Sequence, residues 1–600
     1  MLLSAREMHR RLITESPLMQ APERLRALVR ASELGLVLVA LAIGCLSGVL
    51  VSAIGVVAQV MHEFLFGLPR EQRLSGATGL WWVAVLAVPT LGGALLGVVL
   101  YIGARLRKRA AVDPIEANAL HGGRMSLRDS VLVAFQNLIS NGFGASVGLE
   151  AGYTQICAGV ASRLGLSFEM RRADLRTLVG CGAAGAIAAA FNAPLTGAFY
   201  AFELIIGTYA IGTLTPVVAA ALAATLTMRV LVGHTETIDV GIVGSVSNAD
   251  YLPAFVLGLV CAGIGVLIMQ GVTVIEGLVR RTPLPPYVRP TLGGLVVGGL
   301  ALITPQVLSA GHGALRVQLD TEATVSGLLL VIVLKAIASA VSIGTGFRGG
   351  LFFAALFLGG LVGKLFALAA PFLFATATVT PLIYAVVGMS ALAVAIIGGP
   401  LTMTFLALEA TGDFPITVLV LVAVIASSLT VRKTFGYSFA TWRFHLRGES
   451  IRSAHDVGWI RTLTVGQLMR KDVRPIRDDT MLSAFRRDFP LGSTQRVVVV
   501  DEAERYAGIV VVPEAHSEKL DDAQGTTRIR ELLRWKDDFL LPQLNAKQAA
   551  ELFDKAESEA LAVVDGRETR KVIGLLTESH TLRRYSEELD KRRREMAGEA

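Results

Sequence analysis

Glu150 is the residue best placed to do chemistry. It closes the glycine-rich run Asn141-Gly142-Phe143-Gly144-Ala145-Ser146-Val147-Gly148-Leu149-Glu150-Ala151-Gly152, which lies between long apolar segments. Glycine lets a backbone approach a small ligand closely and adopt positive φ. Residues 153–164 have helical composition, so the run reads as a loop opening a helix. A helix N-terminus offers unbonded N–H groups and the positive end of its dipole, and both favour an anion. With Glu150 at that end, the protein's own carboxylate can fill the anion site, which makes a gate that competes with a permeating anion and is emptied by protonation. The other reading is an acidic residue that only stabilises its own helix.

The elements that must hold this carboxylate are membrane helices. Of the 600 residues, 53% are hydrophobic and 61 are glycine, with a mean hydropathy of +0.57, which exceeds any soluble average. The composition indicates a polytopic membrane protein with a soluble tail. Apolar runs at 34–60 and 79–104 exceed the roughly 20 residues that cross a bilayer. The following runs, 131–139, 153–164, 178–190 and 194–206, are shorter and are broken by Gly, Pro or charge. Long runs return at 254–275, 292–303 and 325–341, and the pattern breaks again after Gly344. Helices interrupted at membrane depth are tolerated where their ends are buried in protein or line a wet cavity, and there they form transporter sites.

Charge orients the chain. Arg6, Arg10, Arg11, Arg24, Arg26 and Arg30 precede the first apolar run, and Arg105, Arg107, Lys108 and Arg109 follow the second. An excess of basic residues marks cytoplasmic flanks, so the N-terminus is expected inside. Residues 1–33 read as a cytoplasmic amphipathic helix lying in the interface with membrane lipid, without a signal-peptide pattern. The net charge of +7 comes from bases beside membrane segments, which argues against nucleic-acid binding. Cys45, Cys157, Cys181 and Cys261 lie in apolar runs without metal-ligand spacing, so neither a metal nor a disulfide is expected. The apolar segments hold no H-E-x-x-H, and His234 and His312 have no matching nucleophile, which argues against an enzyme.

An internal repeat is visible. Pro194-Leu195-Thr196 is followed nine residues after the proline by Glu203, and Pro400-Leu401-Thr402 is followed at the same offset by Glu409. A glycine-led helix opening stands upstream of each: Gly148-Leu149-Glu150 and Gly349-Gly350-Leu351-Phe352. Matching broken helices in two halves, about 80–232 and 290–447, indicate an inverted-repeat transporter with its site near the midplane. Glu203, a carboxylate in a membrane segment, is a functional candidate, with a helix cap as the alternative. Glu409 stands where its apolar helix stops, before Thr411-Gly412-Asp413, and reads as structural.

These residues resemble the CLC family of chloride channels and proton-coupled chloride transporters. Gly148-Leu149-Glu150-Ala151-Gly152 is similar to the family's G-x-E-G-P gate motif, and Phe191-Asn192-Ala193-Pro194-Leu195 matches its F-N-A-P-L run. Gly350-Leu351-Phe352-Phe353-Ala354 resembles G-[IV]-F-x-P, and Tyr437, six residues before Arg443, fits the last membrane helix. The resemblance covers about 34–447 and implies an all-α polytopic fold of inverted repeats, a homodimer with one pathway per subunit, and a bacterial inner-membrane location with both termini cytoplasmic. It also implies that Glu150 is the gate, that the N–H groups of Leu351 and Phe352 hold a central anion, and that Tyr437 donates its hydroxyl to it. Protons are the expected second substrate.

Three departures bear on mechanism. Where the family carries the serine of G-S-G-I-P, this chain reads Arg109-Ala110-Ala111-Val112-Asp113-Pro114. Asp followed by Pro is a strong helix start, so Asp113 either caps its own helix or occupies the positive end that should face the anion. The gate motif carries Leu149 in place of a bulky basic residue, which lowers local attraction for anions. Leu204 stands where proton-coupled members carry an internal glutamate, so protons either use another route, with Glu203 as the substitute, or are not exchanged. The anion itself, whether chloride, bromide, nitrate, bicarbonate or fluoride, is left open.

After a linker at 448–462 the composition turns charged and mixed. Residues 463–588 contain two copies of one pattern: Thr464 to Met469, a helix at 481–487 and strands at 495–500 and 506–512; then Thr527 to Leu533, a helix at 546–555 and strands at 560–564 and 572–577. This resembles a small α/β pair of CBS modules, the tail of many CLC proteins, which can bind adenine nucleotides. His580 replaces the ribose-binding Asp of the usual signature after Gly574-Leu575-Leu576-Thr577, and Val511 replaces its Thr after Gly508. Both changes argue against a nucleotide cofactor and for a structural or dimer-stabilising tail. A basic stretch at 589–600, with Lys591 to Arg594, suits the anionic inner leaflet. A membrane sensor read out by the tail is the alternative to transport.

Overall fold

The computed structural model describes residues 33–70, 72–106, 111–233, 246–321, 324–374, 380–446, 463–517, 527–581 and 583–584. The expected N-terminal helix, linker and basic tail lie outside these residues. Two compact units divide between Asp456 and Val457.

Among the described residues of the first unit, eight helices are long and apolar enough to cross a membrane. The chain is an integral membrane protein. One half runs through the helices Trp82–Leu106, Pro114–Leu120, Leu127–Gly142, Glu150–Ser167, Arg172–Phe191, Pro194–Tyr200 and Ile211–Val232. The other runs through Arg289–Ala301, His312–Asp320, Val325–Thr345, Phe352–Leu373, Pro381–Ile397, Pro400–Thr411 and Phe414–Thr434. In the order of each series the short helices Pro114–Leu120 and Pro194–Tyr200 stand where His312–Asp320 and Pro400–Thr411 stand in the other. Glu33–Phe66 precedes the first series and Tyr251–Arg281 precedes the second.

Local sequence explains the breaks. Pro194 and Pro400 sit in the first turn of their helices, where the missing N–H costs nothing. Asn192, in the left-handed region at φ 54°, ends the helix before Pro194, and Gly398 at φ 85° does the same before Pro400. Past Tyr200 the helix widens into one π-helical turn, Ala201–Ile206. Two short apolar runs prove longer as helices. The pieces at 153–164 and 178–190 belong to helices of 18 and 20 residues, because Arg172, Asp174 and Arg176 lie within the first turns of Arg172–Phe191 and end an apolar run without ending the helix.

Small residues let these helices pack closely. An added Cβ at Gly359 would lie 2.3 Å from the carbonyl oxygen of Gly388, and one at Gly182 would lie 2.5 Å from that of Cys157. The membrane core centres on residues 352–363 and 383–396, all of which are buried. Lys335 is fully buried there and donates to the carbonyls of Val307, at 3.1 Å, and Ser309, at 2.7 Å.

The second unit is a small α/β body. In it β1 (Ile476–Arg477) pairs parallel to β2 (Arg496–Val500), which pairs antiparallel to β3 (Tyr506–Val511); β4 (Ala560–Val564) and β5 (Val572–Thr577) form a second antiparallel pair. The two copies of the sequence pattern interlock. Thr464, opening the first, bridges Asn545, the cap of the second copy's helix, and Arg528 of the second bridges Met481, which precedes the first copy's helix. Val498 and Ile509 pack with Ala562 and Val564, so the two pairs of strands share apolar contacts.

Candidate functional site

The site forms where two helix N-termini from opposite halves meet. Glu150–Ser167 and Phe352–Leu373, the gate helix and the anion helix of the function proposed below, begin after two strand-like segments that pair once. Gly148 N–H donates to the Gly350 carbonyl at 3.0 Å, and Gly350 N–H donates back at 3.4 Å. This pairing brings the first turns of both helices together, so their unbonded N–H groups and dipole ends converge.

Glu150 lies between them and is 5% exposed. Its carboxylate faces the backbone N–H groups of Glu150 itself and of Phe353, on the anion helix. It folds back over Gly148: a Cβ at that position would fall 1.8 Å from Oε2. Among the described residues Oε2 has no hydrogen-bond partner, and Glu150 takes part in no ion pair. The carboxylate therefore occupies the ground where two positive helix ends would attract an anion.

Leu351 and Phe352 open the anion helix as its cap and first residue, so their N–H groups belong to the same first turn. The ring of Phe352 packs on Phe191, 4.8 Å between centroids, and beside Tyr200 at 6.2 Å. Phe191 and Phe352 thus join the F-N-A-P-L motif to the anion helix. Tyr437 lies in the segment after Phe414–Thr434, its ring 5.4 Å from Trp442 and 6.3 Å from Phe435.

Asp113 caps the helix Pro114–Leu120, with Oδ1 accepting from Glu116 N–H at 2.9 Å and Pro114 in the first position. Glu203 makes a different kind of cap. Its carboxylate accepts from Leu401 N–H at 3.0 Å, Thr402 N–H at 2.8 Å and the Thr402 hydroxyl at 2.7 Å, at the start of the helix Pro400–Thr411. Glu409 mirrors it on Leu195 N–H, Thr196 N–H and the Thr196 hydroxyl, at 2.8, 2.8 and 2.7 Å. Each P-L-T helix is capped by the carboxylate that ends the other. The recurring nine-residue offset is a reciprocal cap between halves.

Several residues of the site escaped sequence reasoning. Phe353 turns its N–H toward the Glu150 carboxylate, one position beyond the expected pair. Asn137 and Asn141 reach from the helix Leu127–Gly142 to the loop before Glu150; Asn141 donates to the Val147 carbonyl at 2.8 Å and to the Ser309 hydroxyl at 3.0 Å. Ser342 receives the N–H of Ser146 at 3.0 Å. The available signal was a set of uncharged polar residues, Gln136, Asn137, Ser140 and Asn141, inside a membrane-depth helix, where each needs a partner.

Relatives give this arrangement its context. The chain is 31% identical over 397 residues to a putative chloride channel protein ClcB-like from Ralstonia nicotianae, covering 92% of that protein and 65% of this one. It is 28% identical over 399 residues to the voltage-gated ClC-type chloride channel ClcB of Salmonella typhimurium, covering 95% of it and 66% of this chain. Among solved structures the fold is similar to a slow cyanobacterial Cl-/H+ antiporter, with TM-score 0.62 at 21% identity over 69% of this chain and 97% of that one. A eukaryotic CLC transporter gives TM-score 0.60 at 18% identity, covering 93% of this chain and 98% of its own. Residues 92–432, the stretch that contains both helix openings and both reciprocal caps, match the model of the voltage gated chloride channel family, and the chain is a member of that family, whose proteins are channels and transporters rather than enzymes.

Proposed function

We propose that the protein carries chloride or a similar small inorganic anion across the membrane, with Glu150 as the gate. The observation that carries this reading is the position of its carboxylate, buried between the first turns of the gate and anion helices and facing the N–H of Phe353. A carboxylate and a halide compete for the same N–H groups. An arriving anion or a proton on Glu150 releases the gate, because a neutral carboxyl loses its attraction to two positive helix ends. Leu351 and Phe352 supply the next N–H groups along the path, and Tyr437 a hydroxyl. The solved neighbours include a Cl-/H+ antiporter and a CLC-type fluoride/proton antiporter, which supports exchange with protons. Glu203 fits a structural role better than a proton path, since both its oxygens are engaged in a cap.

The test replaces Glu150 with Gln in reconstituted liposomes, with anion efflux and proton uptake recorded together. E150Q holds the gate in its neutral form, so flux loses its dependence on pH and any coupled proton movement stops. Flux in E150Q with wild-type pH dependence refutes the gate.

We further read the second unit as a tandem CBS pair that stabilises a homodimer, with both termini cytoplasmic in a bacterial inner membrane. The interlocked copies support the pair, and the basic flanks and bacterial relatives support the placement.

A further inference from the structure

A path that binds anions through backbone N–H groups has a matching difficulty with its carbonyls. Each peptide unit that turns its N–H to the path has neighbours whose oxygens would repel an anion, so those oxygens need partners elsewhere. In the two segments that meet before Glu150 and before Phe352, one side chain serves a carbonyl of each. Asn137, 1% exposed, donates from Nδ2 to the Gly148 carbonyl at 2.9 Å and to the Arg348 carbonyl, also at 2.9 Å. Its Oδ1 accepts from Gly152 N–H, in the first turn of the gate helix, at 2.8 Å. Three of its hydrogen-bonding positions are thus spent on the two segments that frame the gate, one from each half. Gly152 leaves the room: a Cβ there would lie 2.3 Å from Asn137 Oδ1.

We propose that Asn137 is a positioning residue for the gate, which fixes the Gly148 and Arg348 carbonyls and the first turn of the gate helix so that the Glu150 carboxylate has a defined seat. The inference rests on the reading of Glu150 as the gate. Without Asn137, the Gly148 and Arg348 carbonyls and the Gly152 N–H each lose one hydrogen bond, and the pairing of Gly148 with Gly350 is held by its own two bonds alone. The seat loosens on the side that faces Glu150, while the helices that carry the rest of the path keep their packing.

The test uses the full chain in liposomes and compares four proteins: wild type, E150Q, N137A and N137A/E150Q. The readout, taken at neutral pH in each background, is anion flux with the E150Q substitution divided by flux with Glu150 intact, which measures closure by the carboxylate and cancels any general loss of conduction. With about 1 kcal/mol for one net hydrogen bond, the ratio falls about fivefold or more in the N137A background. An equal ratio in both backgrounds overturns the inference. N137D repeats the comparison in a side chain of the same shape that keeps the acceptor for Gly152 and loses both donors, so a poorly folded N137A does not decide the matter. A ratio of one in the Asn137 background overturns the gate itself and the inference with it.

Discussion

Gly148 offers the sharpest test of the proposed gate. Replacing it with Ala adds one Cβ, and the three nearest atoms to that Cβ all belong to the Glu150 carboxyl, with Oε2 at 1.8 Å. Ordinary contact begins at 3.4 Å, so the oxygen must retreat by at least 1.6 Å. Gly148 does not lie at positive φ, so the backbone accepts alanine without strain. The carboxylate is the flexible end of a long side chain and yields first. Such a retreat breaks its approach to the Phe353 N–H, and a hydrogen bond to a charged group is worth about 1.5 kcal/mol or more. The closed population should therefore fall about tenfold. Gly350→Ala is the matched control, because its added Cβ meets nothing closer than 3.6 Å and stands 3.9 Å from Oε2. The assay is anion efflux from liposomes at neutral and acidic pH. G148A should conduct at neutral pH nearly as it does in acid, while G350A keeps the wild-type difference. If G148A retains that difference in a folded protein, the carboxylate does not close the path from the position seen here.

Two further outcomes follow from the other polar contacts. Glu203→Gln and Glu409→Gln each weaken a charged cap, and each should lower stability by about 1–2 kcal/mol, read as a lower unfolding temperature in detergent, with anion flux retained; loss of proton coupling at unchanged stability in E203Q would instead assign Glu203 to a proton path. In the second unit the Thr569 hydroxyl at 2.6 Å, with the Lys571 N–H at 2.9 Å, holds the Asp565 carboxyl below the usual carboxylate range. A depressed folded value means the carboxylate stabilises the turn above its unfolded pKa and stops doing so as pH falls through the folded one. Asp565→Asn should accelerate hydrogen exchange in the β4–β5 turn at neutral pH and make no difference in strong acid; an equal effect at both would show that the charge is not the cause.

The legible part of this protein was its architecture and the placing of one buried glutamate. Apolar length, glycine openings and the paired P-L-T offsets marked two halves of broken helices, because bilayer thickness and backbone satisfaction leave few ways to arrange such segments. Glu150 was visible for the same reason, a charge where charge is expensive. The meaning of the nine-residue offset was not visible. Glu203 and Glu409 bond residues about 200 positions away, and no local spacing shows which helix a carboxylate will cap. Asn137 was hidden for a related reason: its three partners, Gly148, Gly152 and Arg348, are backbone groups, and backbone groups leave no trace in side-chain patterns. Asp113 could be read locally, since a cap and its helix are neighbours in sequence.

The reciprocal caps also impose an order on biosynthesis. The helix that starts at Pro194 is complete in sequence long before Glu409 exists, and at about 5–20 residues per second the ribosome needs roughly 10–40 seconds to reach it. During that interval the leading N–H groups of the first-half helix lack the Glu409 cap, and Glu203 lacks the helix it caps. The two caps can close only once both halves have been made. A chain truncated before Glu409 therefore lacks the cap on the helix that starts at Pro194 and should unfold at a lower temperature in detergent than the full chain.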